Sequence, residues 1–436
     1  MRMFSSGKLQ KLALAVFVIG VAGLLAYGFG RNANGGETRL TTSDESKSTH
    51  TLLLLEIFDS IKKNYWDTVD ERKLIQLFEL AVTKVASTSP LTLSATSTRA
   101  EFADYLTSAL SAKTESDKKA ATLAIGELVL SNLPPFGRNR LFTMAQEKDL
   151  RDTVSNIDAS KDLYAELGVK KGASVADIDK AYQAKLADLR KEDTPGAKEK
   201  ITRISYIKDV LTDEKKKALY DSDKIEPTLS LKALSRSTFY LNLTKFSPTT
   251  LQEFTDAATK MGGSVKARNL IIDMRGNIGG SFDIVPYLSG FFIGPSQYAF
   301  DLFKQGAYIP FKTPTQKLPP LSGLRRIIVL IDGNTQSSAE LFVTVLKKYN
   351  KAKVIGTRSK GWGTIENTFP LATGLYGDKY TLFLVHSMTV GENGQPIEGR
   401  GVDPDIDITD KNWRATARDE FEDSALVSLL ESLFII

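Results

Sequence analysis

The residues of this 436-residue chain best placed to do chemistry lie in two short stretches. In "DGNTQSSAELFVTVLKKYN" (332–350), Ser337 and Ser338 stand between the apolar run "RIIVLI" (326–331) and a segment with helical apolar spacing. A serine at a strand-to-helix junction sits at a helix N-terminus, where unsatisfied N–H groups and the macrodipole favour a developing oxyanion. The same position suits a plain helix cap, with Glu340 three residues on as the reciprocal partner. In "NLIIDMRGNIGGSFD" (269–283), glycines follow a strand-like run and lead toward a helix. Such a loop can offer free amides to an anion, or simply turn the chain. Asp273 and Arg275 are placed to fix it by an ion pair.

Composition removes several other chemistries. Cysteine is absent and the histidines are His50 and His386, so thiolate and histidine-rich metal sites have no ligands and no cofactor is expected. A net charge of +5 without an aromatic-interleaved basic stripe argues against nucleic acid as a partner. With 42% hydrophobic and 25% charged residues, the chain can bury sizeable cores and divide into two or three domains.

The elements that would position the serines read as follows. Residues 1–11 carry Arg2, Lys8 and Lys11 ahead of the uncharged run "LALAVFVIGVAGLLAYGFG" (12–30), with Arg31 after it. That length and asymmetry read as an uncleaved single-pass signal anchor in a cell membrane, the bulk of the chain outside the cytoplasm. A cleaved signal peptide is the competing reading. A polar linker, 31–50, follows. Residues 51–157 read as all-α, with Leu74, Leu77, Leu80 and Ala81 on one face and a break at "SNLPPFG" (131–137). From 223 to 436, "STFYLNL", "NLIIDM", "RIIVLI" and "AKVIG" alternate with helical stretches, which predicts an α/β domain, a layered sheet with helices. The end "SALVSLLESLFII" (424–436) reads as an amphipathic helix that packs on the core or on a second subunit, the latter giving a homo-oligomer with help from the helical region.

Residues 158–222 are distinct. "DLYAELGVKKGASVADIDKAYQAKLADLRKED" and the following helical stretch resemble a DnaJ-type J domain, with Ser174 capping a helix and Asp177 at the capping-box position. The resemblance implies a chaperone-stimulating His-Pro-Asp after the second helix. Arg190, Lys191 and Glu192 stand there instead.

The ordered motifs "LIIDMRGNIGG", "DGNTQSSAELFVTVLKKYNKAKVIGTRSKGWGTIE" and "GQPIEGRGVDPDI" are similar to the C-terminal processing peptidases, or tail-specific proteases, and "YWDTVDERKL" resembles that family's N-terminal helical region. The resemblance implies a crotonase-like core, a polypeptide substrate and a serine and lysine dyad. It places the nucleophile at Ser337 and the oxyanion hole at Gly279 and the Ser338 amide. The family's base is a lysine, and Trp362 occupies that position in "SKGWG". Tryptophan cannot accept a proton. Lys360, two residues earlier, reaches the same face if the segment is an alternating strand. Shedding its charge at neutral pH needs a fall of about three units from ~10.4. Burial and a neighbouring cation such as Arg358 would supply it. His386, and Glu398 with Arg400, read as structural. The J-like segment stands where the family usually carries a PDZ domain. Two functions follow: a membrane-anchored serine endopeptidase with Ser337 and a relocated Lys360 base, or a pseudoprotease that binds polypeptides or scaffolds an envelope complex.

Overall fold

A computed structural model describes residues 47–434, apart from 87–92, 95–97, 112, 159, 193, 264–266 and 392–393. The proposed anchor, 12–30, lies outside the described residues. Among those described, no helix is long and apolar enough to cross a membrane.

The chain forms two compact units. One comprises residues up to Lys148 together with Phe303–Tyr308 and Thr364–Met388. Its helices Thr49–Asn64, Glu71–Ala86, Arg99–Ser111 and Glu115–Ser131 close around Phe58, Phe78, Phe102, Leu106 and Val129, all 0–1% exposed. The buried stripe of the second helix is Leu74, Ile75, Phe78, Ala81 and Val82, whereas Leu80 is 69% exposed. Leu80 was expected on the buried face. It falls off the 3.6-residue stripe that Phe78 and Val82 define.

This unit is not all-α as the periodicity predicts. The strand Arg140–Thr143 pairs antiparallel with Tyr380–Phe383, and Tyr380–Val390 pairs in turn with Thr364–Pro370. Leu371, Leu375, Leu382 and Leu384 from these later segments join the helical core. The expected boundary at 223 therefore does not separate the compact units. Pairing between residues 240 positions apart leaves no local trace in a sequence.

The second unit comprises Asp149–Leu302, Ile309–Gly363 and Thr389–Ile436. Its sheet runs in the order Ile406–Asp407, Lys353–Gly356, Arg326–Ile331, Asn269–Asp273, Thr238–Leu243, Leu229–Ala233. Every neighbouring pair is parallel except the last. Parallel strands covered on both faces carry continuous apolar runs, which is why "NLIID" and "RIIVLI" read clearly. On one face Ile271, Ile328, Leu330 and Ile355 pack with Trp413, Ala417, Phe421, Leu426, Val427 and Leu430. The helix Ser424–Phe434 thus packs on its own core, the first of the two positions expected above. Strand alternation turns Leu270, Ile272 and Val329 to the opposite face. The helices Thr250–Gly262, Val285–Ile293 and Ser338–Lys348 meet through Phe254, Phe292 and Phe342, with ring centroids 5.5 and 5.7 Å apart.

Within the same unit the J-like segment builds its own core. Its helices are Leu163–Leu167, Val175–Leu189, Pro195–Thr212 and Glu214–Asp223, closed around Leu163, Tyr164, Ile178, Ile207, Leu211 and Tyr220. Ser174 Oγ accepts the Asp177 amide at 3.2 Å, as the spacing predicts. Lys185 donates to the Glu166 carbonyl at 3.0 Å.

Candidate active site

The serines lie where the strand Arg326–Ile331 leaves the sheet and the helix Ser338–Lys348 begins. Asp332 organises the turn between them: its Oδ1 accepts the amides of Asn334 (3.0 Å) and Thr335 (2.9 Å) and, from the glycine loop, that of Gly276 (2.9 Å). The two loops are tied at three further points. Thr335 Oγ1 donates to the Met274 carbonyl at 2.9 Å, the Gln336 amide to the Asn277 carbonyl at 2.9 Å, and Ser338 Oγ to the Gly280 carbonyl at 2.9 Å. Both sequence stretches therefore meet in one place. As expected, Asp273 and Arg275 pair, at 2.6 Å, and Arg275 also donates to the Leu433 carbonyl at 2.8 Å.

Ser337 adopts φ 59° and ψ −126°, outside the favoured regions for a residue with a Cβ. Such strain costs on the order of 1–3 kcal/mol and persists where surroundings over-determine it. The surroundings here are close: a Cβ added to Gly279 would stand 2.7 Å from Ser337 Cβ. Only glycine lets the two loops approach this far.

The amides facing this junction differ in their commitments. Gly279 N–H donates to Asn277 Oδ1 at 2.8 Å. The amides of Gly280 and Ser338 donate to no acceptor among the described residues. Gly280 lies against Phe246, where an added Cβ would come 2.0 Å from the Phe246 carbonyl oxygen. Gly280→Ala is expected to destabilise the fold by about 2–4 kcal/mol through that clash. A melting curve superimposable on that of the natural protein would contradict it.

Glu340 proves to be more than a cap. It is 0% exposed, and its Oε2 accepts the amides of Ser337 (2.8 Å) and Trp362 (2.9 Å). Its Oε1 accepts Ser359 Oγ (2.5 Å) and the Gly361 amide (2.7 Å). Burial pushes its carboxyl above the usual range, and these four donors oppose that rise. Ser359 Oγ in turn accepts the Val402 amide at 2.7 Å, and Glu398 Oε2 accepts the Gly363 amide at 2.7 Å. One carboxylate thus fixes the 359–363 segment against the serine. Neither Glu340's three donors from the 359–362 segment nor Asn277's part was read from the sequence. The only local signal was the three-residue spacing from Ser337 to Glu340.

The lysine candidate is placed differently from the strand expectation. Residues 357–363 form an irregular loop, with Gly361 at φ 80°, so side chains do not alternate along it. Lys360 is exposed; its amide donates to the Thr335 carbonyl at 2.9 Å, and its Nζ lies 5.7 Å from the Trp362 ring centroid. It makes no hydrogen bond to Ser337 in this structure. Arg358, the expected neighbouring cation, pairs with Asp403 at 2.6 Å. His386 belongs to the first unit and bonds Lys304 and Ser387. No cluster of three or more metal-ligating His, Cys, Asp or Glu side chains occurs among the described residues.

Residues 237–408 match the model of peptidase family S41, and residues 162–221 match the DnaJ domain. The chain is 27% identical over 175 residues to the probable CtpA-like serine protease of Staphylococcus epidermidis, a match covering 40% of this chain and 34% of that protein. It is 28% identical over 171 residues to the carboxy-terminal-processing protease of Bartonella bacilliformis, covering 38% of each. The matches thus span little more than a third of these relatives. Among solved structures, the photosystem II D1 C-terminal processing protease aligns with 83% of this chain and 93% of its own, at 14% identity and a TM-score of 0.48.

Proposed function

We propose that this chain, which resembles the C-terminal processing peptidases of family S41 and carries a DnaJ-like segment, is a serine-type endopeptidase acting on polypeptides. The observation that carries the reading is the strained backbone of Ser337, held at a helix N-terminus beside two uncommitted amides. Ser337 Oγ attacks the peptide carbonyl, and the amides of Ser338 and the glycine loop hold the oxyanion. Lys360 takes the serine proton and returns it to the leaving amine; water then attacks the acyl-enzyme, with the same amine as base. Catalytic hydrogen bonds often tighten only in the substrate complex, so the role does not require a Lys360–Ser337 bond in the free protein.

A second reading, a polypeptide-binding pseudoprotease, draws on a specific observation: tryptophan stands at the position that matches the family's lysine, and Lys360 is exposed. A fluorophosphonate probe separates the two. The natural chain is expected to be labelled at Ser337 and Ser337→Ala to remain unlabelled; an unlabelled natural chain would favour the pseudoprotease.

Residues 12–30 are proposed to anchor the protein in a membrane, with the bulk of the chain on the outer side. Deleting residues 1–31 is expected to move the protein from the membrane pellet to the soluble fraction. Unchanged sedimentation would contradict the anchor.

A further inference from the structure

The first unit holds a cluster that the peptidase reading does not use. Lys304, in the strand Tyr298–Lys304, places its Nζ 2.6 Å from His386 Nε2. His386 Nδ1 lies 2.8 Å from Ser387 Oγ, and Ser387 is 0% exposed. With Nε2 accepting from the amine, Nδ1 carries the ring hydrogen and donates it to the serine oxygen. Phe369 stacks on the imidazole, ring centroids 6.3 Å apart. Lys304 makes no ion pair with any carboxylate among the described residues. A half-buried lysine held by an imidazole instead of an acid is an unusual commitment, because an ammonium normally keeps water or an anion.

We propose that the Lys304 amine is a nucleophilic site for small aldehydes and ketones, with His386 relaying the proton. The Nζ lone pair attacks the carbonyl carbon, and the carbonyl oxygen takes up a proton to give a carbinolamine. The proton lost from nitrogen passes to His386 Nε2. It then joins the departing hydroxide, and the protonated imine returns to solvent the proton that the carbonyl oxygen took up, so that amine and carbonyl compound yield an imine and one water.

Electrostatics support the geometry. Burial lowers the Lys304 amine below its ordinary value. Burial, and then the Lys304 charge, lower His386 to about 4, so the imidazole is neutral at physiological pH and free to accept. No other charged group contributes to either shift. Once the nitrogen is that of the uncharged carbinolamine, the repulsion that suppressed imidazolium is gone, which favours the relay at the step that needs it.

The test uses the full chain with propionaldehyde and sodium cyanoborohydride at pH 7, and peptide mass spectrometry to compare alkylation of Lys304 with that of exposed Lys317. Each unit by which an amine's pKa falls gives about tenfold more neutral form at fixed pH. Lys304 is therefore expected to react at least threefold faster than Lys317. His386→Gln, which keeps a polar side chain but removes the base, is expected to lower that ratio at least threefold with the circular dichroism spectrum unchanged. Lys304 reacting no faster than Lys317 in the natural protein would overturn the proposal, whatever the variant does. The outcome is independent of whether Ser337 cleaves peptides.

Discussion

Replacing Trp362 by lysine is expected to raise the rate at which the protein cleaves an unfolded polypeptide, by roughly ten- to a hundredfold. The expectation rests on one oxygen atom. Glu340 Oε2 accepts the amides of both Ser337 and Trp362, at 2.8 and 2.9 Å, so the two nitrogens are no farther apart than those bonds laid end to end. A lysine at 362 would therefore start beside the nucleophile, on a backbone already fixed by buried hydrogen bonds. The indole there now has no site that can take a proton. The carboxylate of Glu340 would raise the new amine's pKa, but its oxygens already serve four donors. The neighbouring Lys360 would lower it by like-charge repulsion. Initial rates measured with a fluorescent reporter check the prediction. In that background, further substitution of Lys360 by alanine should no longer matter. No gain in rate would mean that a side chain at 362 does not reach the serine hydroxyl.

The second large effect concerns stability. Glu340→Ala would leave the amides of Ser337, Gly361 and Trp362 and the hydroxyl of Ser359 without their acceptor in a fully buried position. Leaving buried donors unsatisfied costs about 1–3 kcal/mol for each that water cannot reach. Partial rescue by solvent brings the expected total to about 3–5 kcal/mol, with both loops loosened and labelling of Ser337 lost. Glu340→Gln is the informative companion, since an amide keeps one acceptor oxygen and turns the other into a donor. It should fall between alanine and the natural residue. Thermal melting monitored by tryptophan fluorescence gives the order, and equal stability of all three proteins would show that the carboxylate is not what holds the loops.

The legible and illegible parts of this molecule divide by range. "NLIID" and "RIIVLI" announced buried parallel strands because such strands are apolar on both faces. Ser174 announced a helix because its cap bond spans three residues. The serine and glycine stretches read as a possible oxyanion site because each sits at a strand-to-helix junction that local pattern reveals. What did not show was set by distant partners. The strand Arg140–Thr143 exists because residues 380–383 pair with it, and residues 371–388 line the helical core from far along the chain. Glu340 read as a cap because Ser337 is three residues away, while its other donors, Ser359, Gly361 and Trp362, are about twenty residues on. The segment 357–363 carries no local signal that fixes its shape, and the Glu340 bonds and the turn at Gly361 hold it irregular rather than as an alternating strand. That loop decides where Lys360 points, so the base is the part of the site that sequence constrained least.

The central claim is that Ser337 and Lys360 together cleave polypeptide in the chain as it stands. It is tested most directly by incubating the full-length protein in detergent with an unfolded reporter and comparing natural chain, Ser337→Ala and Lys360→Ala at neutral pH. The account predicts cleavage by the natural chain, none by Ser337→Ala, and a loss of roughly 10²–10⁴ in rate for Lys360→Ala. Cleavage by Lys360→Ala at the natural rate, or an inert natural chain, would contradict it.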